Sequence, residues 1–435
     1  MKNLKKVTDW ESFYTEIGQH LPTIEIHMLE NFGPSLLNRD NNNNQKTINF
    51  GGTLRLRISS QCIGHAISEK WGVEDTWFTR HMGNLVATKL KEQFPEANEK
   101  YLSMVEKIVD NCITPKGDKS ESSKTQDKKD HMATGCINDV NAFIDAIVEV
   151  CPINSEITEK DTVIKVESGK IKGASKNDKE EKAKGKKKEE SDDFTKAAQI
   201  LKKMQDTAAT RPVSVWEAIN GTMSTSLAIR SIISSTSVAH AFSVNEAPID
   251  TDYYVAIDRW IKGESGAAHL NEQDIKSSCF YRYASINILS AVENILTGVD
   301  FKDKKEVERR INSVIEGINK YIKEFIIAVP GGKQHSMATS PRPSVVYITA
   351  GVRPQNYTRE NAFLRPTTGF SGQDIVAEAA ENLKDFIDND PFCTEDYDKE
   401  LWVARDEYEA PESAERCNLK TALQTIGDYI NEKIS

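Results

Sequence analysis

The sequence predicts an α+β fold of the ferredoxin-like type, and three observations carry that expectation. Thr23 to Leu29 (TIEIHML) alternates as a half-buried strand does, with Ile24, Ile26 and Met28 on one face. Asp303 to Ile327 places Val307, Ile311, Val314, Ile315, Ile318, Ile322 and Phe325 at helical spacing, and Val329-Pro330-Gly331-Gly332 stops the run. Val238 to Phe242, Cys279 to Asn287 and Ser344 to Thr349 have strand character. The resulting order of strand, helices, strand, strand, helix, strand is the split βαβ pattern.

Taken in order, residues 1–22 form an N-terminal extension and residues 23–60 the first part of the sheet-bearing domain. Within the latter, the polar run Asn38 to Gln45, with four consecutive asparagines, is a loop by composition, and Gly51-Gly52 turns into the segment Thr53 to Ser59. There Leu54, Leu56 and Ile58 are expected to face one way and Arg55 and Arg57 the other. Residues 61–210 have helical periodicity, in Met82, Leu85, Val86 and Leu90, in Leu102, Val105, Ile108 and Val109, and in Val140, Phe143, Ile144, Ile147 and Val148. Two stretches near 114–130 and 167–193 are rich in Lys, Ser, Asp and Glu; they cannot bury enough apolar area to offset chain entropy and are expected to be solvated loops. Residues 211–243 and 277–350 complete the sheet domain around a segment at 244–276, and 351–435 is expected to be mainly helical.

Hydrophobic residues make up 38% of the 435, enough for a globular core. No apolar run approaches the roughly 20 residues needed to cross a bilayer, and the first residues lack the apolar block of a signal peptide. A cytoplasmic protein without membrane contact is the expectation. The seven cysteines lie far apart and are expected to be reduced structural thiols. The eight histidines show no metal-ligand spacing, and neither a P-loop nor a nucleophile elbow is present, so no metal or other cofactor is expected.

A net charge of −10 argues against a protein that coats a polyanion with bulk positive charge. Any such contact must be local, and one short stretch offers it: Arg39 and Lys46 supply charged donors, Ser59 and Gln61 neutral ones. Arg55 and Arg57 are either a phosphate strip or partners for acids of a neighbouring subunit. Gly331-Gly332-Lys333 is either a plain helix stop or a loop whose backbone comes close to a ligand, since glycine permits contact that a Cβ would block. Lys184, Lys186, Lys187 and Lys188 are flanked by acids and belong to a solvated loop rather than a site.

Longer blocks carry more. Leu36 to Cys62 (LLNRDNNNNQKTINFGGTLRLRISSQC) closely resembles the N-terminal signature of the CasC family, the backbone subunit of the type I-E Cascade CRISPR complex. AINGTMSTS (Ala218 to Ser226), SVAHAFSVNEAPIDTDYYVAID (Ser237 to Asp258), GAAHLNEQDIKSSCFYRYASIN (Gly266 to Asn287) and VPGGKQ (Val329 to Gln334) resemble the same family in the same order. The resemblance implies an RRM-like palm, an inserted helical fingers subdomain and a thumb hairpin at 244–276, in a non-catalytic protein of the RAMP type that polymerises along CRISPR guide RNA. It implies as partners the guide, target DNA paired to it, further copies of the chain, other Cascade subunits and a recruited helicase-nuclease.

By the same resemblance, Arg39, Lys46, Ser59 and Gln61 hold guide phosphates, the Gly331–Lys333 loop approaches the RNA, and Met223 lies against guide bases. Tyr254, Val255, Ile257 and Leu270 form the thumb's wedge between bases. The sequence departs from the family where relatives carry basic residues after Ser59-Ser60-Gln61. Ile63, Gly64, His65 and Ser68 stand there instead, and His65 is either a replacement donor or a surface histidine. His240 and His269 lie in matching blocks, so a ribonuclease with a histidine acid and base is the rival reading.

Overall fold

The computed structural model describes residues 6–72, 76–113, 133–167, 170–172, 194–222, 226, 228–247, 251–257, 267–352, 356–368, 374–391 and 397–434. The chain divides into two compact units: residues 1–72, 235–290 and 312–435 in one, residues 73–234 and 291–311 in the other. The fold is mixed α/β, with twelve α-helices and one large sheet among the described residues. No helix among them is long and apolar enough to cross a membrane.

The first unit is built on a nine-stranded sheet around β1 (Thr23–Ser35). From one edge the order is Glu415–Arg416, Lys399–Ala404, Val345–Gly351, β1, Lys276–Asn287, Ala241–Ser243, and then the hairpin formed by β2 (Thr47–Phe50) and β3 (Thr53–Ile58), with β3 inside and β2 at the edge. Thr236–Val238 also pairs with Lys276–Asn287. All pairings are antiparallel except the one between Lys399–Ala404 and Glu415–Arg416. The tail is thus less helical than its composition suggested: Ile375–Asp388 and Leu419–Ile434 are helices, but the segment between them extends the sheet.

The sequence pattern treated β1 as half-buried, and the structure corrects this. Residues 23–30 are buried without exception, because the strand is paired on both edges and covered on both faces. Two polar sets are therefore enclosed. On one face Glu25 accepts hydrogen bonds from the Tyr283 hydroxyl (2.6 Å) and the Tyr357 amide (2.8 Å), and His27 Nδ1 lies 2.9 Å from the Tyr281 hydroxyl. The apolar part of that face packs Leu29, Tyr281, Tyr283, Tyr347 and Trp402 against Val376, Ala379 and Leu383 of the helix Ile375–Asp388. On the other face Glu30 and Arg282, both fully buried, form an ion pair at 2.6 Å, and Arg282 also donates to the carbonyls of Phe325 and Ala328. Each enclosed charge has a partner, as burial requires.

The N-terminal extension is part of this unit. It forms α1 (Trp10–Glu16), capped by Asp9 and Ser12, and buries Val7, Phe13, Ile17 and Leu21.

The second unit is helical. Met82–Gln93, Glu99–Ile113, Ile137–Val150 and Lys196–Ala208 bury Val86, Leu90, Val105, Ile108, Phe143, Ile147 and Leu201 in one core, at the spacing the sequence pattern identified. The stretch at 114–130 lies outside the described residues. At the start of the 167–193 stretch, Lys165–Glu167 and Lys170–Lys172 pair as a short hairpin, so regular structure continues past the expected boundary; residues 173–193 lie outside the described residues.

Burial, with Arg359 adding repulsion, holds the His27 pKa well below its ordinary value, whereas an unfolded histidine takes up its proton near about pH 6.5. Unfolding therefore binds a proton below that pH, and stability is lost as pH falls through about 6.5. Thermal melts at about pH 7.5 and about pH 5.5 should show wild type losing more of its Tm than His27→Leu. Equal losses would mean that His27 charges in place without cost.

Candidate functional site

The site is organised by α2 (Ser60–Trp71), which follows β3 directly. Ser59 is its N-cap, with extended backbone and its hydroxyl accepting from the Cys62 amide. Ile63, Ala66 and Ile67 are buried, and Gly72 closes the helix in the left-handed region at φ 65°. At the far end Lys320 donates to the Trp71 carbonyl at 2.7 Å and lies 4.7 Å over the Trp71 ring. Of the first amides of α2, Ser59 donates to Asn38 Oδ1, Ser60 points at His240 Nδ1 and Cys62 bonds to Ser59, while the Gln61 amide has no partner among the described residues.

The asparagine loop before β2 is more ordered than its composition implied. Asp40 accepts from the amides of Asn42 and Asn44 at 2.9 Å each, and Asn43 sits in the left-handed region at φ 69°. The ends are pinned: Lys46 N donates to Asn38 O, Arg57 N to Lys46 O, and the Gln45 amide group to Arg57 O. Arg39 projects from this loop, exposed, with Nη1 on Asn43 Oδ1 at 2.7 Å.

The glycine loop closes the other side. A Cβ on Gly332 would stand 2.4 Å from the Leu37 carbonyl oxygen and 2.5 Å from that of Leu36, whereas one on Gly331 would meet nothing within 4 Å. The bare backbone of Gly332 thus seats the loop against residues 36–37. Lys333 follows in the left-handed region at φ 50° and is half-buried.

These segments surround an open groove of about 740 Å³ lined by Arg39, Asp40, Ser59, Gln61, His65, Gly331 and Gly332, among others. Lys46 and Arg57 lie beside it. Arg57 Nη1 is 3.2 Å from His240 Nδ1, and burial together with Arg57 and Lys46 pushes the His240 pKa down. The structure therefore gathers Arg39, Ser59, Gln61, Gly331 and Gly332 on one cavity, with Lys46 and Arg57 adjacent. His65 also lines it, 3.6 Å from Glu69, both side chains being exposed.

Arg55 does not belong to this surface. It is 0% exposed, and its guanidinium donates to the carbonyls of Ser243 (3.0 Å), Val244 (2.6 Å) and Phe363 (3.0 Å). Both sequence readings of Arg55, phosphate ligand and partner for a neighbouring acid, give way to a cross-brace between the hairpin and two distant segments. Facing on β3 does not track burial, since Arg55 is buried and Leu54 is half exposed. Two groups the charge pattern passed over matter: Asn38, which bonds Ser59, Gln45 and Lys46, and His240. Spatial proximity alone identifies Asn38; His240 stood in a matching block, but as a candidate acid or base rather than as a neighbour of Arg57 and Ser60.

Met223 lies outside the described residues. The hairpin Thr251–Ile257 and Ala267–Asp274 pairs Tyr254 with Asn271, Val255 with Leu270 and, after a bulge, Ile257 with Ala267; the side chains of these strands are outside the description. Elsewhere, Cys136, Asp139 and Glu217 have donor atoms within 4.8 Å of one another, with Asp139 already paired to Arg211 at 2.6 Å.

The family model for CT1975-like proteins matches residues 24–432. The chain belongs to the CT1975-like family. No curated protein sequence matches it. In fold, this CT1975-like protein is similar to a chain of a "CRISPR RNA-guided surveillance complex, pre-nicking", at 18% identity and a TM-score of 0.63 over 94% of this chain and 100% of that one. A chain of a second "CRISPR RNA-guided surveillance complex" is similar at 16% identity and a TM-score of 0.58, over 93% and 99% respectively. The α1 segment precedes the family match.

The two glycines separate cleanly by experiment. Gly332→Ala should lower Tm and loosen the groove, while Gly331→Ala should stay within about 0.5 kcal/mol of wild type. Indistinguishable melts for the two variants would mean that the contact with residues 36–37 is dispensable. Arg55→Met should destabilise by roughly 1–3 kcal/mol for each carbonyl left without a donor, measured by denaturant unfolding.

Proposed function

We propose that this CT1975-like protein is the guide-RNA-binding backbone subunit of a Cascade-type CRISPR surveillance complex. One observation carries the proposal: residues far apart in sequence, Arg39, Ser59, Gln61, Gly331 and Gly332, converge on one groove beside Lys46 and Arg57. A free amide at the start of α2, the exposed fork of Arg39 and two further cations suit a phosphodiester backbone. They present no base-reading pattern, so binding is indifferent to guide sequence.

The finer reading follows the same line. Val345–Gly351, β1, Lys276–Asn287 and Thr236–Val238 supply the four antiparallel strands of an RRM-like palm, with the first and third in the middle. The hairpin Thr251–Ile257/Ala267–Asp274 is the thumb, whose Tyr254, Val255, Ile257 and Leu270 wedge between guide bases at each subunit. Copies add head to tail along the guide, since a heterologous contact that does not close produces a helical filament. The type I-E arrangement, pairing of the guide with target DNA, contact with other Cascade subunits and hand-over to a helicase-nuclease complete the proposal. The subunit is non-catalytic in this reading. The lone pair of His240 is directed at two donors, which favours a positioning role over proton transfer.

Repeat-derived RNA of uniform length should co-purify with the chain; heterogeneous RNA or none would refute the proposal. Replacing Arg39 and Lys46 together with alanine should weaken binding irrespective of sequence and reduce the slope of log affinity against log salt by roughly 1.4, at about 0.7 per phosphate on a single strand. An unchanged slope would remove both residues from the interface.

A further inference from the structure

His240 stands between the strands Thr236–Val238 and Ala241–Ser243, exposed, at the mouth of α2. Its Nδ1 lies 3.2 Å from Arg57 Nη1 and 3.3 Å from the Ser60 amide nitrogen. A guanidinium and a backbone amide can only donate, so Nδ1 must carry a lone pair and the ring proton must sit on Nε2. Burial disfavours the charged ring, and Arg57 from β3 and Lys46 from the loop before β2 add repulsion in the same direction, lowering its pKa. The ring is thereby oriented from one side, and Nε2–H, across the ring, has no partner among the described residues.

We infer that His240 is an RNA ligand, whose Nε2–H donates to a phosphate oxygen of the guide beside Lys46, Arg57 and the Gln61 amide. The inference rests on the proposed function and adds a residue of different character to it. A protonated imidazole here would place a third proton donor against Arg57 and Ser60; the neutral tautomer avoids that and still offers one hydrogen bond. It contributes affinity without charge, and so without counterion release.

That property separates it from the cations. Asparagine keeps an acceptor near the position of Nδ1 and lacks the Nε2–H. Binding of single-stranded oligouridylate to the full chain should therefore be weaker for His240→Asn than for wild type by about tenfold to a hundredfold, the value of a hydrogen bond to a charged acceptor. The salt slope and the Tm should stay at their wild-type values. Wild-type affinity in His240→Asn would overturn the inference and leave the function standing, as would a loss accompanied by a flatter salt slope or a lower Tm, which would make His240 a support for Arg57 alone. Failure of the wild-type chain to bind oligouridylate would overturn the function itself. The ring can also be followed without substitution. Nitrogen-15 spectra of the wild-type histidines should show a neutral, Nε2-protonated ring whose Nε2 resonance moves on adding the oligonucleotide, and a static resonance would count against the contact.

Discussion

A strand paired on both edges and covered on both faces has no route to water, so each charged group it carries needs a partner inside the protein. β1 is such a strand, and it carries Glu25, His27 and Glu30. The architecture around it follows from that demand. Glu30 needs Arg282 on the neighbouring strand, and Arg282 in turn reaches the last turn of the helix Lys304–Ile327 and the residue beyond it, joining sheet to helix on that face. Glu25 needs the Tyr283 hydroxyl and the Tyr357 amide, which draws the segment after Val345–Gly351 back across the sheet. Arg359, itself fully buried, then pairs with Asp390 at 3.3 Å and ties in the end of the helix Ile375–Asp388. Removing one partner from such a pair strands a charge, which is far costlier than the modest net value of the intact pair.

The groove inherits its rigidity from the same economy of interior donors. Arg55 joins β3 to Ser243, Val244 and Phe363, so the hairpin cannot pivot relative to the strands and the C-terminal segment. Asn38 links the loop to the first amide of α2, and Gly332 lies flush on the backbone at 36–37. A phosphate-binding surface made of short side chains and amides works only when the spacing between donors is preset, because such donors have little reach of their own.

Much of this was legible in the sequence, though unevenly. Long periodic segments gave their type and most of their extent: the helix from Lys304 begins one residue after expectation, and the strand ending at Asn287 begins three residues before it. The groove residues were found through motif resemblance, since Arg39 and Gly332 lie almost 300 positions apart and no local pattern joins them. Failures share one cause. Alternation placed Arg55 with Arg57 and made β1 half-buried, because period two reports that neighbours differ in facing but not whether either face meets water. The asparagine run looked featureless for a related reason: its order comes from side chain to backbone bonds of Asp40, which composition cannot register. The strand Lys399–Ala404 was missed in a tail whose helices dominate the pattern.

The acidic chain and a polyanionic ligand are reconciled by where the cations remain available. Arg55 donates to carbonyls and Arg282 pairs with Glu30, so neither guanidinium is available to bond a ligand at the groove. Asp40, an acid of the loop that lines the groove, has its Oδ1 engaged by the amides of Asn42 and Asn44. At the groove the cations Arg39, Lys46 and Arg57 stand among neutral donors, with the carboxylates of Asp40 and Glu69 on its lining, in a chain of net charge −10. A single such site releases few counterions and binds weakly. Under the proposed function, many copies on one strand would multiply it, because each subunit added beside a bound one would meet the RNA at high effective concentration. Under the proposed function, weak, charge-poor sites in series would favour long assemblies on one guide over scattered binding to other RNA, and the overall negative charge would work in the same direction by repelling strands that no neighbouring subunit helps to hold.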